Sequence, residues 1–296
     1  MLENLFFDWY SASIDASPDC VISSFKSFYK LSSLEVSRPQ NGFTHGDKLV
    51  DQYGETLVTL WYGGSKQGGR VMAFSSGNHA QGFSVAVRSL FPDHELIRAD
   101  AAIDFDYHGV YLCLIRHGVR VSRGVSVKNK FIGQAGSEYL LDHSEGRSLY
   151  LGSRSSVSMI RIYEKGKKDD KTRPDWVRSE FEFKPKGAVA RSYYAKASIQ
   201  EIVGSTKLGR AFFAALGVSV KVSPVKPGTV RVKTDHQRAM DHLRVQYHKT
   251  IMRELELNGG NFEELGITLS TLPDSPQTAY EACSNPNSLT AMSMAS

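Results

Sequence analysis

Three stretches of the chain alternate apolar and polar positions strictly enough to predict strands with one buried and one charged face, because successive side chains of a strand point to opposite sides. In "IRADAAIDF" one side carries Arg98, Asp100, Ala102 and Asp104, and the other Ile97, Ala99, Ala101, Ile103 and Phe105. In "WVRSEFEFK" Arg178, Glu180, Glu182 and Lys184 share a face opposite Val177, Phe181 and Phe183. In "RIYEK" Arg161, Tyr163 and Lys165 fall on one side, with Ile160, Ile162 and Glu164 on the other. Around them, "LFFDWYSASID" predicts an opening strand, "PDCVISSFKSFYKL" a short helix after a Ser-Pro-Asp start, and "LVTLWYGGSKQGGRVMAFSS" a hairpin. "GNHAQGFSVAVRSLF" has helical spacing at Phe83, Val87 and Leu90, whereas "GVYLCLIRHGVRVS" is apolar without a firm period and reads equally as helix or strand. "GRSLYLG" and "VSMIRIYEK" flank a four-residue turn as a second hairpin.

From Ala188 the character turns helical, through "AVARSYYAKASIQEIVGSTKLGRAFFAALG" and, after a Pro/Gly-containing link, "TDHQRAMDHLRVQYHKTIMRELELN" with Met240, Leu243, Tyr247 and Ile251 as an apolar stripe. The last stretch is rich in Ser, Asn, Thr and Pro, a composition that predicts disorder. The expected fold is α+β: an antiparallel sheet with helices on one face and a carboxylate/tyrosine site on the other, followed by a mainly helical C-terminal part. The expected divisions are 1–187, a catalytic α+β domain; 188–272, a helical region for DNA recognition or partner binding; and 273–296, a disordered tail.

Composition narrows the function classes only a little. The 296 residues carry a net charge of +5, which modestly favours an anionic partner such as nucleic acid. Three widely separated cysteines (Cys20, Cys113, Cys283) offer neither a disulfide framework nor a thiolate zinc site. No basic leader opens the chain and no apolar run reaches about 18 residues. The expected compartment is a reducing cytoplasm, without membrane contact. "GGSKQGG" lacks the Gly-Lys-Ser/Thr step of a phosphate-binding loop. His236, His242 and His248 recur every six residues and scatter over a helix surface instead of forming a metal face.

The charged strand faces carry the chemistry. Taken singly, each is explained by a solvated sheet face with ordinary cross-strand ion pairs. Were the three strands neighbours, Asp100, Asp104, Glu180 and Glu182 would gather near Tyr163, and hard oxygen ligands at that density suit Mg²⁺ or Mn²⁺. A tyrosine hydroxyl, with a pKa of about 10, needs a neighbouring cation such as Arg161 or Lys165 to act as a nucleophile. Tyr193 and Tyr194 are rival nucleophiles at a predicted helix start, and Tyr150 lies on the partner strand of the hairpin. Arg116, Arg120, Arg123, Lys128 and Lys130 form one basic span, and Lys165, Lys167, Lys168, Lys171 and Arg173 another. Each reads as a solvated loop unless a phosphotransfer site lies beside it, where phosphate contact is the better reading. Arg98, Arg154 and Arg178 join them as candidate DNA contacts. Arg238, Arg244, Lys249 and Arg253 make the C-terminal helix a candidate for duplex recognition, dimerisation or partner binding.

In combination these segments resemble the replication initiation factor (Rep-trans) family, rolling-circle initiators of plasmids and filamentous phages. The family's Arg-x-Asp-x-x-x-Asp strand is matched by Arg98, Asp100 and Asp104. Its Gly-Ser-x-x-Ser hairpin ending in Arg-x-Tyr-x-Lys is matched by Gly152, Ser153, Ser156, Arg161, Tyr163 and Lys165, and its Arg-x-Glu strand by Arg178 and Glu180. The likeness runs from about Asp8 to Lys186, looks closer to the phage members than to the plasmid ones, and includes the upstream "VMAFSSGNHAQGF". It implies a sequence-specific nickase and strand transferase that forms a 5′-phosphotyrosyl link through Tyr163 at a replication origin. Metal ligands are then drawn from Asp100, Asp104 and Glu180, with Glu182 a further acid of open role. The implied partners are single-stranded or cruciform origin DNA, a host helicase and a second copy of the chain. No His-hydrophobe-His pair occurs, so the metal site of the HUH nickases cannot form in its usual way. A non-catalytic origin- or operator-binding protein, and a metal-dependent phosphodiesterase using water, are the alternative functions.

Overall fold

The alternating segments do pair with one another, and the sheet they build decides where every charged side chain goes. The computed structural model describes residues 5–132, 146–228 and 235–270. The tail expected to be disordered, 273–296, lies outside the described residues, as does Cys283. The chain divides into two compact units, Met1–Val230 and Arg231–Ser296. In the first unit, β1 (Phe6–Ile14) leads to α1 (Pro18–Tyr29), then β2 (Leu34–Val36), β3 (His45–Val50), β4 (Thr56–Tyr62) and β5 (Val71–Ser76). Next come α2 (Ala80–Leu90), β6 (Glu95–Asp106), α3 (Val110–Gly124), β7 (Asn129–Ile132), β8 (Ser148–Leu151) and β9 (Ser158–Tyr163). The unit closes with α4 (Lys165–Asp169), β10 (Trp176–Phe183), α5 (Ala188–Lys196), α6 (Ile199–Val203) and α7 (Lys207–Ala215).

Among the described residues the strands form one antiparallel sheet in the order β2-β3-β4-β5-β1-β6-β10-β9-β8-β7. One face of it is apolar: Tyr10, Leu60, Ala73, Ala99, Ile103, Phe181, Phe183, Ile160 and Ile162 are all buried there. The helices cover that face. Phe83 of α2 meets Tyr10, Tyr194 of α5 meets Phe183, and Phe213 of α7 meets Phe181 edge-on. The ambiguous segment 110–124 is a helix. Its buried positions Val110, Leu114, Gly118 and Val121 return at intervals of four, four and three, the helical period. A Cβ on Gly118 would come within 2.9 Å of Ile162 Cδ1, so glycine is what lets α3 lie close to β9.

Local signals set the helix ends. Ser17 accepts from the Cys20 amide with Pro18 in the first turn, and Lys30, in the left-handed region at φ 55°, stops α1. The single long helix expected over 188–217 is instead three. Ala197 is extended, and Ser198 then starts α6 through a reciprocal capping box with Glu201. Thr206 caps α7. These three helices belong to the first compact unit, so the core does not end at residue 187 but continues through them. In the second unit, α8 (Asp235–Leu257) buries no residue, and α9 (Phe262–Ser270) buries Leu265.

One buried polar pair shapes the stability of this core. His94 Nδ1 lies 2.7 Å from the Phe91 carbonyl and must donate to it, leaving Nε2 as the acceptor at 3.0 Å from the Tyr10 hydroxyl. Burial pulls the His94 pKa from 6.5 down to about 4. The unfolded chain therefore takes up this proton first, and stability is lost as pH falls from about 6.5 towards about 4. Between about pH 7 and about pH 5 this amounts to roughly 2 kcal/mol. Urea denaturation at the two pH values should show a drop of that size in the wild type and a much flatter response in His94→Gln. An equal drop in both proteins would assign the acid sensitivity elsewhere.

Candidate functional site

The second face of the sheet gathers what the alternation put there. β6, β10 and β9 are direct neighbours, and their register forms cross-strand rows. Asp104 faces Arg178, which faces Tyr163; Ala102 faces Glu180, which faces Arg161; Asp100 faces Glu182, which faces Met159. β8 extends the rows, with Ser148 opposite Tyr163 and Tyr150 opposite Arg161.

Arg178 is the deepest cation, 4% exposed. Its Nε and Nη2 donate to the two oxygens of Asp104 at 2.7 Å, and its Nη1 donates to Asp8 on β1 at 2.5 Å. Arg161 donates to Glu180 at 2.6 Å and lies 4.3 Å above the Tyr163 ring. Arg98 pairs with Asp100, its Nε donating at 2.8 Å, and reaches Glu182 at 3.0 Å; Lys184 reaches the other oxygen of Glu182 at 2.5 Å. Burial raises the Asp100 carboxyl well above the usual carboxylate range. The Arg98 hydrogen bond opposes that shift, and the charges of Glu180 and Glu182 add to it. Asp8 is raised too, chiefly by burial against the attraction of Arg178.

Tyr163 ends β9, nearly buried, and is among the residues that line a cavity of about 470 Å³. The cavity is lined by Arg147, Ser148, Glu164, Lys167, Lys168 and Lys171. Burial, reinforced by Glu180, pushes the phenol well above its ordinary pKa of 10.0, against the pull of Arg161 and Arg178. At neutral pH the phenol is therefore protonated. Glu164 is not spare charge, because Arg147 grips it with Nε at 2.8 Å and Nη2 at 2.7 Å while Lys167 sits at 3.0 Å. Burial works against ionisation there, yet these hydrogen bonds hold its carboxyl below the usual range.

Several expected residues stand elsewhere. Lys165 does not continue β9; the strand stops at Tyr163, and Lys165 opens α4, pairs with Asp169 at 2.5 Å and lies 5.1 Å from the Trp176 ring centre. Arg116, Arg120 and Arg123 are exposed on α3, which packs on the Ile162 side of the sheet, so they lie on the opposite side from Tyr163. Lys128 and Lys130 line a separate cavity with Tyr150 at the β7–β8 edge, whereas Arg154 lines both that cavity and the one holding Arg161, Glu180 and Glu182. Of the rival nucleophiles, Tyr194 is fully buried and bonds Ser223 and the Val225 carbonyl, and Tyr193 bonds Glu201. Asp8 was not among the expected site residues. It lies in an aromatic run of β1, and only the sheet order brings it to Arg178.

The expected metal ligands Asp100, Asp104, Glu180 and Glu182 have the right donor chemistry for Mg²⁺ or Mn²⁺. Their arrangement does not form a coordination shell, because each is held by an arginine or lysine. Among the described residues no three of His, Cys, Asp and Glu are grouped so as to hold a metal ion. As placed, these acids fit guanidinium partners and not a metal.

Comparison with known proteins bears on this face directly. The model of the replication initiation factor family matches residues 95–213, a span from the start of β6 to α7 that contains all three charged strands. The resemblance carried by the motifs thus holds over this segment. The structure is similar to that of a rolling circle replication initiator protein from Geobacillus stearothermophilus, at 20% identity and a TM-score of 0.48, over 68% of this chain and 83% of that one. No curated protein matches the sequence. Among the described residues no helix is long and apolar enough to cross a membrane.

Removing a guanidinium that serves two half-buried carboxylates leaves both without compensation. Arg178→Ala should destabilise the protein by about 3 kcal/mol in urea denaturation. Arg178→Lys should recover less than half of that, since one ammonium cannot reproduce the two-pronged bond to Asp104 together with the bond to Asp8. Near-wild-type stability of Arg178→Ala would mean the ladder does not hold the strands.

Proposed function

We propose that the first unit nicks and rejoins single-stranded DNA at a replication origin, through a phosphotyrosyl intermediate on Tyr163. The observation that carries this reading is the position of Tyr163 between the arginine–carboxylate rows and a cavity lined by Lys167, Lys168, Lys171 and Arg147. A tyrosine that lines a cationic cavity can meet a phosphodiester whose negative charge the cavity neutralises. Support also comes from the family match, whose span includes Tyr163.

The Tyr163 oxygen forms a bond to phosphorus, and the bond to the 3′ oxygen breaks, leaving a free 3′ hydroxyl and a 5′ phosphate held on the tyrosine. The energy of the broken diester is kept in the new one, so a later 3′ hydroxyl reverses the step and joins strands. Arg161, stacked on the ring, and Arg178, one row position away, favour the phenolate as the proton leaves. Lys167 and Lys168 hold the incoming phosphate. Lys165, tied to Asp169, acts at longer range. Such activity belongs in a compartment that holds the replicating DNA, in keeping with the expected cytoplasm. A helicase and a second copy of the chain remain proposed partners.

Mg²⁺ or Mn²⁺ at Asp100 and Glu182 would have to displace Arg98. Electron paramagnetic resonance of Mn²⁺ should therefore detect tighter binding to Arg98→Gln than to the wild type. Equal binding would remove Asp100 and Glu182 as candidate ligands.

The nucleophile is tested by incubating the protein with labelled single-stranded origin DNA and Mn²⁺. A covalent adduct should form, map to Tyr163 by mass spectrometry and vanish in Tyr163→Phe. Cleavage that survives the substitution points to water as the nucleophile, and binding without cleavage to a non-catalytic DNA-binding protein. Because Tyr163 is held protonated, adduct formation in the wild type should keep rising with pH beyond about 10, where an unperturbed tyrosine would level off. A plateau near neutral pH would overturn the assigned protonation state.

A further inference from the structure

The charged rows do not end at β6. The same face continues across β1, β5 and β4, and there its character changes from ionic to aromatic. Trp9 is opposite both Asp100 on β6 and Ser76 on β5. The next row runs Arg98, Ser11, Phe74 and Thr59, and the one beyond pairs Ser13 with Met72 and Met72 with Trp61. Trp9 and Phe74 stack with ring centres 5.1 Å apart and planes 15° apart, and Trp61 meets Phe74 edge-on at 4.8 Å. Phe43 adds a fourth ring 6.3 Å from Trp61. All four side chains are only half-buried, although the opposite face of the same strands is fully covered by helices.

A groove of about 340 Å³ is lined by Trp9, Trp61 and Phe74, and its remaining lining includes Arg98, Lys184, Lys186 and Arg191. Arg98 stands 4.9 Å from the Trp9 ring centre, and Lys186 makes no ion pair among the described residues. The indole N–H groups of Trp9 and Trp61 are shielded from water without an acceptor, an arrangement that carries a desolvation cost. Half-buried stacked rings and a rim of cations suit one chemistry: planar rings strung on an anionic backbone. A purely apolar partner would leave Lys186 unanswered, and a duplex would present no ring faces.

We propose that the aromatic groove over β1, β5 and β4 binds unpaired nucleobases of the DNA strand whose phosphate is presented to Tyr163. The proposal rests on the DNA-transfer reading for its choice of ligand, and it adds a second subsite to it. Continuity supports it, because Arg98 and Lys184 line both this groove and the neighbouring one that holds Glu180, Glu182 and Arg161. β1 lies three strand spacings from β9 in the sheet order, roughly 15 Å. One strand crossing the face can therefore touch the lysine cavity with a phosphate and the aromatic groove with bases a few nucleotides away.

The test compares an oligo(dT) of about 12 nucleotides with an abasic deoxyribose-phosphate chain of the same length. Binding is followed by fluorescence anisotropy of an end label at low salt. The wild type should bind oligo(dT) at least about fivefold more tightly than the abasic chain, the lower end expected for one stacked base. Trp61→Ala and Trp9→Leu should each lose affinity for oligo(dT) by a similar factor and bind the abasic chain as the wild type does. Equal wild-type affinity for the two chains would overturn the proposal by reducing binding to phosphate contacts, and needs no folded variant. A change of oligomeric state in the variants on sedimentation, with base-dependent binding intact, would overturn it in favour of a self-association surface. Adduct formation by the wild type is scored separately. Base-dependent binding without an adduct sinks the transfer reading and leaves the groove standing, whereas an adduct with no base dependence does the reverse.

Discussion

Arg178 is the constraint on which the rest of the site depends. It is a nearly buried cation on β10, held by Asp104 on β6 and Asp8 on β1, so three adjacent strands are tied through one guanidinium. Pairs of this kind add little net stability over well-packed apolar residues, since desolvating the charges offsets most of their attraction. What they impose is register. A slip of one residue would turn Arg178, Glu180 and Glu182 into the phenylalanine-lined core and expose Phe181 and Phe183. Both faces of β10 thus oppose the same error, one by hydrophobic burial and the other by charge. Glu180 with Arg161, and Glu182 with Arg98 and Lys184, repeat the arrangement on either side. The position of Tyr163 follows from that register, because it stands directly across from Arg178.

Most of this was legible wherever a residue's side of the sheet was the only question. Alternation assigned Asp100, Asp104, Arg161, Tyr163, Glu180 and Glu182 to polar faces, and the structure has all of them on one face. Sheet order was a different matter. β6 and β10 are neighbours although α3, β7, β8, β9 and α4 intervene in the chain, and periodicity carries no information about such pairing. The motifs supplied it only through resemblance. Asp8 went unnoticed for the same reason. The side of the sheet taken by the arginines of α3 was not legible, because an apolar run without a firm period reads equally as helix or strand, and a helix turns its exposed arginines away from the sheet it packs on. β3 passed unread because "HGDKLV" begins with histidine, glycine and two charged residues, although Asp47 is buried and accepts from the Tyr62 hydroxyl at 2.7 Å. Lys165 shows the limit of extrapolating a period, since the alternation in "RIYEK" outlives the strand by two residues.

The paired charges also bear on how an anion is received. Every acid in the rows has a basic partner, so the middle of the face offers a polyanion little net attraction. Unmatched positive character collects at the margins instead, in Lys168 and Lys171 beside Tyr163 and in Lys128, Lys130 and Arg154 at the β7–β8 edge. On the proposed reading, a DNA strand would be attracted first to these margins, one of which lies beside Tyr163, and less to the neutralised rows between them.

Placing a tyrosine beside neutralised acids has a cost and a use. Burial and the nearby Glu180 raise the Tyr163 pKa, so the free protein holds this phenol in its protonated form. A phosphate arriving in the lysine cavity brings negative charge of its own, which by itself would raise the phenol further. The proposed reaction would therefore require that the cations nearest the ring, Arg161 above it and Arg178 across from it, take a larger share of the developing charge than they hold at rest. Both are engaged by carboxylates, Glu180 for one and Asp8 with Asp104 for the other, and a carboxylate that takes up a proton releases that share. Asp8 is suited to this because burial has already raised its pKa, and it is among the charges that Tyr163 feels. Proton movement to Asp8 and charge development on the phenolate would then be coupled through Arg178, the same guanidinium that fixes the register of the sheet.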